Sequence, residues 1–155
     1  PEEAAQLGID TVNAGTYILN PELFKDYPAN EPLSFERRVF PDLLAQQKRV
    51  TGFIWEGYWL DLGTPAKYLQ GQIDVLTGEM PYALTEEAIE VRPMVWVSKS
   101  AKVDPQAQLE GPCYVGASAW LGAKAQILSG TIVGAHSLVD RALTPGFYAP
   151  GTLAV

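Results

Sequence analysis

An aspartate between two leucines, Leu60-Asp61-Leu62, lies directly before Gly63 and the helix-start signal Thr64-Pro65. A carboxylate in so apolar an extended segment needs partners. Two chemistries supply them: the backbone N–H groups of the following turn, or a hard cation such as Mg2+, which takes only one or two protein carboxylates. In Asn13-Ala14-Gly15 a side-chain amide stands beside unobstructed backbone, which suits either close approach of a polar ligand or a bulge. Glu36, two places after Ser34, can satisfy backbone donors near that serine. The only imidazole, His136 in Gly134-Ala135-His136-Ser137, reads as a turn residue, with general-base work at a subunit cleft as its functional alternative. Cys113 has no second cysteine to pair with and stands on a row of small residues, which assigns it to packing.

The elements that must position these residues follow two grammars. Through residue 80 the pattern is α/β. Residues 11–19 read as a strand broken at Gly15, and Asn20-Pro21-Glu22 offers an N-cap, an N1 proline and a first-turn acid for a short helix. Ser34 caps a second helical stretch through Phe35, Val39 and Phe40, interrupted at Pro41 and resuming over residues 42–47. Residues 50–56 are β-rich, Gly57 bends the chain, and residues 58–62 resume as a second extended piece in which Trp59 is expected to pack or, failing that, to wall a ligand site. Thr64 then caps a helix with Pro65 at N1, Leu69, Ile73 and Leu76 on one face, and Gly78 at C′. Residues 81–94 read as a connector with one helical turn near Thr85-Glu86-Glu87-Ala88.

From residue 95 the period changes. Val103, Leu109, Val115, Leu121, Ile127, Val133 and Val139 fall on one six-residue phase, which Val97 extends backward. Small residues stand two places before each mark (Ala101, Ala107, Cys113, Ala119, Ala125, Thr131, Ser137), and Gly116, Gly122 and Gly134 follow three of them. A short strand and a turn every six residues describe a prism-like coil with the aliphatics inside. This register resembles that of the hexapeptide-repeat family, and the resemblance implies a left-handed β-helix. With three hexads to a coil, Trp96, Tyr114 and Ile132 stack in one outward row and Lys102, Trp120 and Leu138 in another. Such rows call for a cover, either a symmetric subunit contact or the α/β part. Residues 142–155, with Pro145, Gly146, Pro150 and Gly151, lose the register and are expected to leave the coil.

Composition bounds the function. The 155 residues are 47% hydrophobic, enough for a globular core. No run of about eighteen apolar residues and no basic, apolar leader suggests a membrane span or signal peptide, so the expected location is the cytoplasm. Eleven basic against eighteen acidic residues give a net charge of −7, which argues against a nucleic-acid surface. A phosphorylated ligand would need a metal ion or cations from elsewhere to offset that charge.

Three strings, Asn13-Ala14-Gly15-Thr16-Tyr17-Ile18-Leu19, Ser34-Phe35-Glu36-Arg37-Arg38-Val39-Phe40-Pro41 and Gly57-Tyr58-Trp59-Leu60-Asp61-Leu62-Gly63-Thr64-Pro65, together resemble the sugar nucleotidyltransferase family. Within it they are most similar to mannose-1-phosphate guanylyltransferases, where N-A-G-x-Y, S-x-E-x-x-x-F-P and G-x-W-x-D-x-G-T-P precede a hexapeptide-repeat domain in that order. The fold implied is a partial, Rossmann-like α/β nucleotidyltransferase subdomain over residues 1–80, a connector over 81–94 and a left-handed parallel β-helix over 95–155. The activity implied is transfer of a nucleotidyl group from a nucleoside triphosphate, GTP, to mannose 1-phosphate, with release of pyrophosphate and formation of GDP-mannose. The resemblance further implies Mg2+ as cofactor with Asp61 as its ligand. It also implies sugar-phosphate binding by Asn13, Gly15 and Glu36, and a homo-oligomer built through the coil.

The family's glycine-rich G-x-G-T-R-L loop, base-reading strand, second metal-binding acid and E-K-P string have no counterpart here. The expectation is therefore a C-terminal piece of a longer enzyme, inactive alone, whose other half supplies the catalytic groups and neighbouring strands. The competing class is a non-catalytic oligomerisation module or an acyltransferase-like protein, the latter turning on His136.

Overall fold

The computed structural model describes residues 6, 8, 10–82, 84 and 87–155. The chain divides into two compact units, Pro1–Gly57 and Tyr58–Val155.

The first unit is helical among its described residues. Asn20 accepts the Glu22 N–H at 3.0 Å and opens a 3-10 turn, Pro21–Phe24, with proline in its first turn. Ser34 accepts the Arg37 N–H at 3.2 Å and opens a π-helical turn, Phe35–Val39, which leads directly into α1, Phe40–Ala45. The expected interruption at Pro41 takes this form. A proline ring crowds the carbonyl four residues earlier, and the wider π turn, in which the Val39 N–H reaches the Ser34 carbonyl and the Phe40 N–H that of Phe35, relieves the crowding. Val39 and Leu43 are the buried residues of this stretch. Around it the rings of Tyr17, Phe24, Phe35 and Phe40 pack at centroid distances of 5.0–6.1 Å. Residues 11–19, 50–56 and 58–62, expected as strands, carry no ladder. A strand exists only by pairing, and among the described residues no segment offers these three the facing N–H and C=O groups.

The second unit opens with residues 58–64 and α2, Pro65–Thr77, followed by twelve strands: β1 (Ala88–Arg92), β2 (Val95–Ser98), β3 (Lys102–Val103), β4 (Gln108–Leu109), β5 (Cys113–Val115), β6 (Trp120–Leu121), β7 (Gln126–Ile127), β8 (Thr131–Val133), β9 (Leu138–Val139), β10 (Ala142–Leu143), β11 (Gly146–Tyr148) and β12 (Leu153–Ala154). They form three faces of parallel strands, ordered β2-β5-β8-β11, β4-β7-β10 and β3-β6-β9-β12, with β1 antiparallel on the edge of β2. This is a left-handed parallel β-helix of about three turns. Lys102 pairs with Trp120 and Trp120 with Leu138, so residues eighteen apart stack. The six-residue phase is the core: Val115, Leu121, Ile127, Val133 and Val139 are fully buried, as are Cys113, Thr131 and Ser137 on the small-residue row.

One expectation is corrected. Residues 142–155 do not leave the coil; β10, β11 and β12 pair in parallel with β7, β8 and β9 and complete a last turn. The six-residue register hides this because that turn is shorter: Ala142 lies beside Gln126 and Gly146 beside Thr131. Tyr148 takes the interior position over Val133, donates its hydroxyl to the Thr144 carbonyl at 2.9 Å and packs against the core. The helical turn expected at Thr85-Glu86-Glu87-Ala88 falls partly on Thr85 and Glu86, outside the described residues; Ala88 begins β1.

The turn glycines mark where coils come closest. A Cβ on Gly134 would stand 2.5 Å from Pro150 N, and one on Gly116 would stand 2.7 Å from Ala135 N. Gly134→Ala is therefore expected to destabilise the coil by about 1–3 kcal/mol, read as a lowered circular-dichroism melting midpoint. Gly52→Ala, where a Cβ meets nothing within 4 Å, should leave that midpoint unchanged.

Candidate functional site

In the first unit the sequence-predicted residues Asn13, Gly15 and Glu36 come together. The Asn13 amide oxygen accepts the Gly15 N–H at 2.9 Å, while its nitrogen donates to Glu36 Oε1 at 3.1 Å across 23 residues of sequence. Gly15 has φ +73° with open space where a side chain would be, so the glycine is required by conformation and its backbone is left uncovered. Glu36 follows the Ser34 cap by two residues, and its carboxylate meets the Asn13 amide rather than the backbone donors of its own turn. Tyr17, which sequence reasoning did not single out, adds its hydroxyl to the Asn13 amide at 2.8 and 3.1 Å. The signal for it was present: an aromatic four residues after the asparagine, in the N-A-G-x-Y string.

Asp61 belongs to the second unit. Residues 58–62 alternate: Tyr58, Leu60 and Leu62 line an apolar cavity of about 200 Å³ with Tyr68, Gly71, Val75 and Met80 of α2 and its exit, so Trp59 and Asp61 face away. Hence Trp59 does not pack as expected and is half exposed. The Asp61 side chain is 59% exposed, its Oδ1 accepts the Gly63 N–H at 3.0 Å, and its Oδ2 stands 3.8 Å from Lys67 Nζ. The backbone-acceptor role foreseen for this acid thus occupies one oxygen, and the other pairs loosely with Lys67. Thr64 accepts the Lys67 N–H at 3.2 Å, Pro65 takes the first turn and Gly78 closes α2 at φ +82°. The punctuation read from sequence therefore fixes the geometry just after Asp61.

A second tie fastens this segment. Tyr58 donates its hydroxyl to Asp74 Oδ2 at 2.7 Å, and the other Asp74 oxygen accepts from Gln70 Nε2 at 2.6 Å. Sequence gave no hint of a contact spanning sixteen residues between a tyrosine and a mid-helix acid.

The first outward row of the coil is covered from within the unit. Helix α2 contacts β5, Tyr68 stands edge-on to Phe147 at 5.7 Å, and Ile132, the ladder partner of Phe147, is buried. The second row stays open, with Trp120 41%, Leu138 45% and Leu153 70% exposed. His136 sits in a turn at φ +59° and donates its backbone N–H to the Ala117 carbonyl at 2.8 Å. Burial pushes the Cys113 thiol up to about 11, against a smaller pull from Arg92, so it stays protonated and inert at neutral pH. Among the described residues no group of three or more His, Cys, Asp or Glu side chains gathers as a metal cluster, and no helix is long and apolar enough to cross a membrane.

The first unit thus presents a hydrogen-bonded Asn–Glu pair, and the second a capped helix after an exposed aspartate, carried on a parallel β-helix. The nucleotidyl transferase family model matches residues 1–78. The chain belongs to the nucleotidyl transferase family. It is 32% identical over 138 residues to mannose-1-phosphate guanylyltransferase of Mycobacterium tuberculosis, a match covering 85% of this chain and 38% of that protein. To a putative mannose-1-phosphate guanyltransferase of Sulfolobus acidocaldarius it is 30% identical over 121 residues, 78% of this chain and 30% of the relative. To mannose-1-phosphate guanyltransferase of Saccharomyces cerevisiae it is 42% identical over 62 residues, 40% and 17% of the two chains. The chain thus spans less than two fifths of the length of each of these curated relatives.

The Tyr58–Asp74 bond has a pH signature. Accepting by Asp74, more than burial, pushes the Tyr58 phenol from 10.0 up to about 12. A raised folded value means the contribution is intact below 10 and is lost as pH rises from 10 through about 12. Spectroscopic phenolate titration should show a late-titrating tyrosine that Tyr58→Phe removes.

Proposed function

We propose that this chain is the C-terminal part of a nucleotide-sugar pyrophosphorylase that transfers a nucleotidyl group from GTP to mannose 1-phosphate and releases pyrophosphate. The observation that carries the reading is the convergence of the N-A-G-x-Y and S-x-E strings on one hydrogen-bonded cluster, in a chain whose relatives bear the names given above. An amide and a carboxylate side by side offer donors and acceptors suited to sugar hydroxyls, and the uncovered backbone at Gly15 allows close approach. Asn13, Gly15 and Glu36 are the sugar-phosphate residues in this reading.

Mg2+ is the cofactor proposed. The donor set fits: an exposed carboxylate whose second oxygen is held only by a 3.8 Å ion pair with Lys67 suits a cation that draws its other ligands from water and substrate phosphates. When bound, it supplies charge neutralisation between two phosphate-bearing anions, which a chain of net charge −7 otherwise repels. Asp61 is the residue of this chain that would hold it, oriented by the Gly63 N–H, while Lys67 provides a nearby positive charge. The remaining machinery, including the triphosphate loop, is assigned to residues outside this sequence, and residues 1–155 alone are expected to turn nothing over.

The test uses the full-length parent protein with GTP, mannose 1-phosphate and Mg2+, following pyrophosphate release. Asp61→Asn should lower kcat by about 100-fold or more, the scale of several kcal/mol of lost charge stabilisation, and chelation of the metal should abolish turnover in the wild type. Turnover by Asp61→Asn equal to wild type would remove the aspartate from the reaction.

A structural role for the coil accompanies this activity. Exposed Trp120, Leu138 and Leu153 on one face favour a homo-oligomer contact there. Trp120→Glu should reduce the mass measured in solution while leaving the circular-dichroism spectrum intact.

A further inference from the structure

The cluster around Asn13 contains a group with no role in the reading above. Tyr17 is half-buried: its ring stacks on Phe35 at 5.4 Å with 26° between planes, and meets Phe40 edge-on at 5.0 Å. Both partners belong to the continuous Ser34-capped stretch that carries Glu36. The ring is therefore held by the element that presents the carboxylate, and its hydroxyl protrudes from the aromatic cluster toward the Asn13 amide.

The amide itself is oriented by complementary partners. Gly15 offers only an N–H, which requires Oδ1; an ionised Glu36 offers only acceptors, which requires Nδ2. Tyr17 Oη lies between, 2.8 Å from Nδ2 and 3.1 Å from Oδ1. A phenol both donates and accepts, so it satisfies either edge of the amide without opposing the other two partners. Asn13 and Glu36 are both exposed, and at an exposed pair water competes for each bond. The Tyr17 hydroxyl is exposed as well, but it is carried on a packed ring, so its position is already fixed and little side-chain freedom is lost in making the contact.

We propose that Tyr17 is a positioning residue for the sugar 1-phosphate site: its hydroxyl, fixed by ring packing on Phe35 and Phe40, holds the Asn13 amide against Glu36 so that amide and carboxylate meet the sugar hydroxyls already oriented. The inference rests on reading the Asn13–Glu36 cluster as that site, and it adds a residue that acts through Asn13 rather than on substrate.

The experiment is a double-mutant cycle in the full-length parent protein, comparing Tyr17→Phe, Asn13→Ala and the double variant, with Glu36→Gln alongside. Tyr17→Phe keeps the packed ring and removes only the hydroxyl. It should raise KM for the sugar 1-phosphate about tenfold, on the scale of one hydrogen-bond network, with KM for the nucleoside triphosphate and the melting midpoint unchanged. In the Asn13→Ala background the same change should add nothing. An unchanged sugar-phosphate KM for Tyr17→Phe, or an equal rise with and without Asn13, overturns the positioning role and leaves the site assignment standing. If Asn13→Ala and Glu36→Gln also leave that KM unchanged, the site assignment falls and the positioning role with it.

Discussion

Coil-to-coil hydrogen bonding is the interaction on which the second unit depends. Lys102 N–H reaches the Ala119 carbonyl, Trp120 N–H that of Ser137 and Leu138 N–H that of Thr152, each at 2.8 Å. Each coil thus hangs on the next. This spacing leaves room inside for one aliphatic and one small side chain per hexad, so a column of Val115 over Val133 and Leu121 over Val139 can be fully buried by strands of only two or three residues. Without that lattice no single short strand would hold, since each buries its face only against neighbours.

The lattice also supports what lies on it. Helix α2 crosses the β2-β5-β8-β11 face through Tyr68 and Phe147, and the apolar side of residues 58–62 lies on α2. Asp61 is therefore positioned at third hand, by a segment resting on a helix resting on a coil. The Tyr58–Asp74 bond stiffens the middle of that chain of supports. In the first unit the equivalent foundation is aromatic. Four rings surround the π turn, and that turn orients both the Glu36 carboxylate and the phenol that meets Asn13.

Most of the coil was legible in advance because period and chemistry coincide there: a hexad is too short for any element that is not a repeated strand and turn. Caps were legible for the same local reason, as Asn20, Ser34 and Thr64 each bond an N–H two or three residues away. The last coil was not, because its turn is shorter, which takes its interior side chains Leu143, Tyr148 and Ala154 off the six-residue phase. Nor were the contacts of residues 11–19 and 50–56, whose strand-like composition states a preference for pairing without providing the partner.

Sequence by itself determined the hexad core, the helix starts and stops, and which residue types stood ready for polar chemistry, since each follows from neighbours within a few positions. Only the tertiary structure decided that Asn13 meets Glu36 and Tyr17, that Asp61 faces outward while Leu60 and Leu62 face α2, and that the first aromatic row lies beneath a helix whereas the second stays open. Those outcomes depend on packing between segments far apart in the chain. Local spacing carries no information about which distant surface a side chain will meet.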